Sequence, residues 1–324
     1  MRTIYLQKDC PADLAASVAT IGFFDGVHRG HQFLISHVVE TAREEGRQSM
    51  IITFDQHPRE VLHADYQPRL LTPLQEKLYL LERTGVDVVA VLHFDVALSQ
   101  LSARDFMHDL LLERLHVANI FIGDDHRFRP NLFLRPPHRF GHNRAEGFAD
   151  YVAYGREMGM EVVQNPVFEL EGVNVSSTVC RRHVAAGEME AASRCLGYPY
   201  RMGGRVVAGF QEGRKLGFPT ANIQLADPRR LVPASGVYAV RVEVGDEATW
   251  RLGMMNIGTR PTFGGEKVSL EVHIFDFAGD LYGCQVEVAF LRRVREERKF
   301  ASPEELAAQL ARDKQAILDA CCLS

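Results

Sequence analysis

Along the first half of the chain, short unbroken apolar runs alternate with longer amphipathic ones. Residues 17–24, 49–54, 86–94, 117–122 and 160–163 are too short for core helices and lack a polar alternate face, which predicts strands buried on both sides. Between them, residues 29–45, 73–83, 103–116 and 147–158 carry apolar positions at helical spacing. Strand-helix alternation of this kind predicts an α/β, doubly wound parallel sheet, and such sheets bind ligands at the carboxyl ends of their strands.

Past about residue 182 the rhythm changes. A helical stretch over 184–196 ends at Gly197 and Pro199, and the segments that follow alternate with a period of two. Tyr238, Val240, Val242 and Val244 share one strand face; Leu270, Val272 and Ile274 share another, as do Val286, Val288 and Phe290. That pattern predicts an antiparallel β-barrel, with turn chemistry in Ala278-Gly279-Asp280-Leu281-Tyr282-Gly283. A terminal helix follows, with Ser302 as N-cap, Pro303 at its first position, Glu305 completing a capping box, and Leu306, Leu310 and Ile317 on one face. Two domains result, 1–182 and 183–324, in keeping with a chain of 324 residues.

Composition narrows the classes. Hydrophobic residues are 46% and charged residues 24%, as in an ordinary globular protein. Lys and Arg total 37 against 42 Asp and Glu, so no chain-wide field attracts a nucleic-acid backbone and none is expected as a partner. No apolar run approaches the roughly 20 residues of a membrane span, and Met1-Arg2-Thr3-Ile4 leads to Lys8 and Asp9 rather than a signal-peptide core. A cytoplasmic protein without membrane contact is expected; the oligomeric state stays open. The six cysteines contain no C-x-x-C pair and read as reduced thiols. His126-Arg127-Phe128 recurs as His138-Arg139-Phe140, which marks a proline-rich insertion over 129–138.

The first strand runs into Gly22-Phe23-Phe24-Asp25-Gly26-Val27-His28-Arg29-Gly30-His31 and then a helix. Exposed N–H groups and the helix dipole favour an anion there, and His28 and His31 can donate to phosphate oxygens. A glycine-rich turn with two surface histidines is the plainer reading; metal binding lacks a nearby third ligand. Ser176-Ser177-Thr178-Val179-Cys180-Arg181 supplies hydroxyls and a guanidinium suited to a triphosphate, although such clusters are commonly N-caps. Asp55, in Thr53-Phe54-Asp55-Gln56-His57-Pro58, follows a strand and lies at a carboxyl end. In the second domain a glycine-rich basic stretch includes Gly209, Gly213, Arg214 and Gly217 and ends at Thr220 and Asn222, two oxygen ligands able to hold Mg2+ beside a phosphate. Asn256 opens a loop, and Glu271 lies opposite Leu270 and Val272, either facing water or serving as a general base. Arg292, Arg293, Arg295, Arg298 and Lys299 form a basic cluster that reads as a solvated face.

At these residues the chain resembles the bacterial bifunctional riboflavin kinase/FMN adenylyltransferase family over nearly its full length. The first domain is similar to nucleotidylyltransferases through His28-Arg29-Gly30-His31 and Ser176 to Arg181. The second resembles the riboflavin kinase barrel through Pro219-Thr220-Ala221-Asn222, the Asn256-Ile257-Gly258 loop and Glu271. The resemblance implies riboflavin and ATP giving FMN, then FMN and ATP giving FAD and pyrophosphate, both with Mg2+. It implies Glu271 as kinase base, Thr220 and Asn222 at the metal, and His28, His31 and Arg181 at the adenylyl centre. Gly22, Phe24, Asp25, Gly30, Asp55, Asp125, Ser176, Ser177, Thr178, Gly209, Gly213, Arg214, Gly217 and Asn256 would line the substrate sites. The family's Gly-x-Asp-x-Arg-Phe-Gly-x-x-Arg run is split here between Gly123 to Phe128 and Arg139 to Arg144, so a kinase with an idle first domain is one alternative. A flavin-binding protein without turnover is the other.

Overall fold

The computed structural model describes residues 1–6, 13–62, 65–123, 146–209, 213, 216–245, 247, 249–262 and 265–321, with backbone alone at 260–262, 265–267 and 321. They fall into two compact units, Met1–Ser177 and Thr178–Ser324. Asp125, Arg214 and the expected insertion at 129–138 lie outside the described residues.

The first unit is a six-stranded sheet with every pair parallel. Its strands are β1 (Arg2–Leu6), β2 (Ser17–Ile21), β3 (Gln48–Phe54), β4 (Val88–Leu92), β5 (Val117–Gly123) and β6 (Glu161–Asn165), in the order β1-β4-β3-β2-β5-β6. The alternation of side chains sorts each apolar run onto two cores. Ala19, Met50, Ile52, Ala90 and Leu92 face the helices at 103–112 and 148–158, whereas Val18, Ile51, Val89 and Val91 face the helices Arg29–Glu44 and Leu74–Glu82. The chain winds from β2 to β3 and β4 on one side, then crosses to β5 on the other. The carboxyl end of β2 is therefore a topological switch point, where such sheets open a crevice.

The second unit is a closed barrel: β9 (Arg201–Val207), β10 (Ala221–Leu225), β11 (Gly236–Val244), β12 (Arg251–Thr262), β13 (Gly265–Ile274) and β14 (Gln285–Arg295), in the order β10-β13-β12-β11-β14-β9. Tyr238 and Val240 point inward, the Tyr238 ring meeting Phe290 edge-on at 5.3 Å. Val237 and Ala239, on the outer face, join Met254, Phe275 and Ile317 in a second core beneath the terminal helix Pro303–Cys321. Ser302 caps that helix as its sequence indicates, its Oγ accepting from Glu305 N at 3.3 Å; the returning arm differs from a strict capping box, since Glu305 accepts from Ala301 N at 3.1 Å, one residue before the cap.

Several expectations are corrected. The loop expected to open at Asn256 is strand instead: Asn256 lies within β12, held in the ladder between Val237 and Glu271. The edge strand β1 comes as an addition to the expected strands, because its alternating Arg2-Thr3-Ile4-Tyr5-Leu6 is buried on one face only and lacks a continuous apolar run. The expected helix over 103–116 begins as an α-turn at Ala103–Asp105 and continues as a π-helix over Phe106–Leu112, ending at His116 with φ 50°. The expected helix over 184–196 is two helices, Ser177–Ala186 and Met189–Leu196, separated where Gly187 turns left-handed at φ 78°. A short hairpin, β7 (Glu169–Leu170) with β8 (Val173–Asn174), was also unread.

Ile317 is fully buried against the barrel. Ile317→Ala is expected to destabilise the second unit by about 2–5 kcal/mol in urea unfolding, with the transition of the first unit unchanged.

Candidate functional sites

The first candidate site is the turn between β2 and the Arg29–Glu44 helix. Phe24, Asp25, Val27 and His28 are all buried, with exposures of 2%, 2%, 1% and 4%. Phe24 (φ 54°) and Val27 (φ 34°) occupy the left-handed region, which is unfavourable for a β-branched residue above all. Such a turn persists only where its surroundings over-determine it, and here they do. The Asp25 carboxylate accepts from Leu71 N (3.0 Å), Thr72 N (2.9 Å) and Thr72 Oγ1 (3.3 Å). Gly26 N donates to Thr72 Oγ1 at 2.9 Å, Ser177 Oγ donates to Asp25 O at 2.9 Å, and Gln32 Nε2 donates to Val27 O at 2.7 Å.

This scaffold sets two imidazoles at the helix start. His28 is the N-cap, its Nδ1 accepting from His31 N at 3.3 Å, and the two rings stack with centroids 3.6 Å apart. The Phe24 ring meets His31 edge-on at 5.0 Å. Gly30 has to be glycine, since a Cβ there would lie 2.9 Å from Val175 O and 3.2 Å from the His28 ring. The result is a helix N-terminus with clustered imidazoles at the switch point, a setting able to hold phosphate oxygens.

The other expected residues are placed as follows. Gly22 N donates to Ile52 O at 3.0 Å. Ser176 and Ser177 are half-buried where the Ser177–Ala186 helix begins, and Thr178 is exposed. Arg181, half-buried on that helix, belongs to the second unit. Asp55 pairs with the exposed His93 at 2.6 Å, a contact that raises the imidazole pKa, and also accepts from Phe94 N.

Sequence reasoning missed Lys77. Its side chain is 2% exposed, and Nζ donates at 3.0 Å to each of Phe23 O, Thr53 Oγ1 and Phe54 O. The available signal was a lone charge on the apolar stripe of its helix, beside Leu78 and Leu81.

The second candidate site is drawn across the barrel by strand register. Asn222 on β10 faces Glu271 on β13, and Glu271 faces Asn256 on β12. Directly opposed residues of antiparallel strands share a face, so the three side chains form one row, each step about 5 Å. The neighbouring row, Ala221-Val272-Met255-Tyr238, is buried inside the barrel, which puts the polar row on the outer face. Gly209 allows the Asn222 carboxamide to lie across the backbone, because a Cβ there would stand 1.9 Å from its Nδ2.

Beside the row, Leu216 N and Phe218 N both donate to Gly213 O, folding a loop that includes Gly217 (φ 80°) and presents Phe218 and Pro219. His273, two positions from Glu271 on the same face, bonds through Nδ1 to Pro219 O at 2.8 Å. Phe218, Pro219, His273, Phe277, Lys314 and Leu318 contribute to a cavity of about 580 Å³ against the terminal helix. The basic cluster is partly engaged there: Arg295 Nε donates to the buried Asp313 at 2.8 Å and Arg292 to Ala316 O at 3.0 Å. Among the described residues no group of three His, Cys, Asp or Glu side chains is placed to hold a metal. Cys180, Cys195 and Cys284 are free thiols.

Burial lowers the His273 pKa below its ordinary 6.5, the Pro219 carbonyl only partly opposing this. The unfolded chain therefore binds more protons than the folded one just below that value. Stability from this site is complete above pH 6.5 and is lost as pH falls through the folded value. Acid titration of thermal unfolding is expected to show the second unit weakening in that window, and His273→Phe is expected to flatten the dependence.

Comparison with known proteins gives a consistent assignment for both units. A FAD synthetase family model matches residues 10–179, and a riboflavin kinase model matches residues 196–321. The bifunctional riboflavin kinase/FMN adenylyltransferase of Escherichia coli strain K12 is 40% identical over 315 residues, 97% of this chain and 95% of that one. Its counterpart in Bacillus subtilis strain 168 is 34% identical over 322 residues, 97% of this chain and 96% of that one. A crystal structure described as a macrolide-efflux protein from Streptococcus pneumoniae is 32% identical, with a TM-score of 0.86, covering 98% of this chain and 99% of that one. In the present chain, among the described residues, no helix is long and apolar enough to cross a membrane. With both family models matched and homology running nearly end to end, the chain belongs to the bifunctional riboflavin kinase/FMN adenylyltransferase family.

Proposed function

We propose that the chain phosphorylates riboflavin with ATP to FMN through residues 183–324 and adenylylates FMN with a second ATP to FAD and pyrophosphate through residues 1–182. The observation that carries the kinase half is the row Asn222-Glu271-Asn256 beside the cavity at Phe218 and His273. An apolar slot two strand positions from a carboxylate suits a flat ring whose polyol tail reaches that carboxylate. Glu271 takes the proton from the terminal ribityl hydroxyl as the oxygen attacks the γ-phosphorus of ATP. Asn256 orients the same hydroxyl.

Thr220 and Asn222 offer two neutral oxygens. That donor set fits Mg2+, which keeps several waters and is completed by substrate phosphates. When bound, the ion neutralises phosphate charge. Arg214, Gly209, Gly213 and Gly217 line the nucleotide side, the glycines letting backbone N–H groups approach phosphate.

In the adenylyl half, the FMN phosphate attacks the α-phosphorus of ATP, so the protein supplies no nucleophile. His28, His31, Ser177 and Arg181 stabilise charge on the pentavalent phosphorus and the leaving pyrophosphate. Gly22, Phe24, Gly30, Asp55, Asp125, Ser176 and Thr178 line the substrates. Asp25 serves this site from behind, by fixing the turn. Matches to both halves favour two activities over an idle first domain or a binder without turnover.

The test is a crossed pair of variants in the intact chain, assayed separately for each reaction. Glu271→Ala is expected to lower FMN formation by about 10²–10⁴ while sparing FAD formation from supplied FMN. His28→Ala with His31→Ala is expected to do the reverse, with a loss of about 10²–10³. Equal loss of both activities in either variant contradicts separate sites.

A further inference from the structure

Lys77 is not among the residues assigned to either reaction, yet it lies under the His28 turn. Its ammonium spends one N–H on each of three acceptors: Phe23 O just past β2, and Thr53 Oγ1 and Phe54 O at the end of β3, all at 3.0 Å. Thr53 Oγ1 donates in turn to Phe23 O at 3.2 Å, and the ammonium stands 4.2 Å from the centroid of the Phe23 ring. With its three N–H groups engaged, Lys77 has none to offer a substrate. Phe23 is the last residue before the left-handed Phe24, so the bond to its carbonyl fixes where the strained turn begins.

We propose that Lys77 is a positioning residue for adenylyl transfer, its ammonium tying the carboxyl ends of β2 and β3 together so that the His28–His31 turn keeps its reactive geometry. The inference rests on the reading of this turn as the adenylyl site.

A charge is not needed merely to fill that space, since an apolar side chain of similar length continues the stripe of Leu78 and Leu81. The ammonium does what an alkyl group does not: it satisfies three acceptors at once, two of them buried and one partly buried. Burial pushes the Lys77 pKa down to about 8, while Asp25 from the turn and Asp55 from the end of β3 oppose the shift. The neutral amine retains two N–H groups for three acceptors, so deprotonation releases one strand end. Adenylyl transfer thus acquires an alkaline limb that the barrel's reaction does not share.

The experiment follows kcat and KM of FAD formation from FMN, and of FMN formation from riboflavin, in the full chain from neutral to alkaline pH. In the unaltered protein, kcat of adenylyl transfer is expected to decline through about pH 8 while riboflavin phosphorylation does not. Lys77→Met is expected to show kcat for FAD formation lowered by about 100-fold at every pH, with KM for ATP little changed. Lys77→Arg, whose guanidinium stays charged, is expected to move the decline to higher pH.

A Lys77→Met protein with unaltered kcat overturns the proposal, as does an identical alkaline limb in Lys77→Arg. Should neither variant fold, the unaltered protein still decides: absence of the limb overturns the proposal and its presence supports it. Intact FAD formation in the His28 and His31 double variant rejects the site assignment instead of the role of Lys77 within it.

Discussion

The hydrogen bonds of the Asp25 carboxylate to the main chain of Leu71 and Thr72 are the contacts on which the first candidate site depends. Left-handed backbone at Phe24 and Val27 costs about 1–3 kcal/mol each. A hydrogen bond to a charged group returns about 1.5–3 kcal/mol, and Asp25 accepts from three donors. The anchor therefore offsets the strain, and Gln32 and Ser177 secure the carbonyls of Val27 and Asp25. Without that anchoring the chain has no reason to place His28 and His31 face to face at the start of a helix. The switch point supplies the opening, and the turn sets the two imidazoles there.

The barrel solves a comparable problem by register instead of strain. Closure of β9 onto β10 leaves no free edge, so pairing is fixed around the whole sheet. A slip of one residue in β13 would turn Glu271 inward and Val272 outward. The inward packing of Tyr238, Val240 and Phe290 and the outward packing of Val237 and Ala239 under Ile317 both oppose it. Stability of the barrel and alignment of Asn222, Glu271 and Asn256 are thus the same fact seen from two faces.

Much of the architecture was legible because continuous apolar runs such as 49–54 have few alternatives to a buried parallel strand. The inward faces of β11, β13 and β14 were legible for a different reason, since residues such as Leu270, Val272 and Ile274 alternate with polar neighbours and bury one face. Harder to read were elements whose cause is tertiary. β1 has one buried face, and the break at Gly187 lies inside a segment that reads as one helix. The motifs at His28 and Asn222 were visible as residues, but the strand partners that align Asn222 with Glu271 and Asn256 are far apart in sequence. Lys77 was passed over because lysine ordinarily marks a solvated helix face.

The most direct test of this account is Asp25→Asn in the full chain. The amide preserves size but places an NH2 group against a main-chain N–H, so one anchor bond is lost and the turn relaxes. A folded variant is expected to lose FAD formation from FMN by about 100-fold while converting riboflavin to FMN at the unaltered rate. Unimpaired FAD formation by that folded variant would contradict the claim that a strained turn, held from behind, makes the first site.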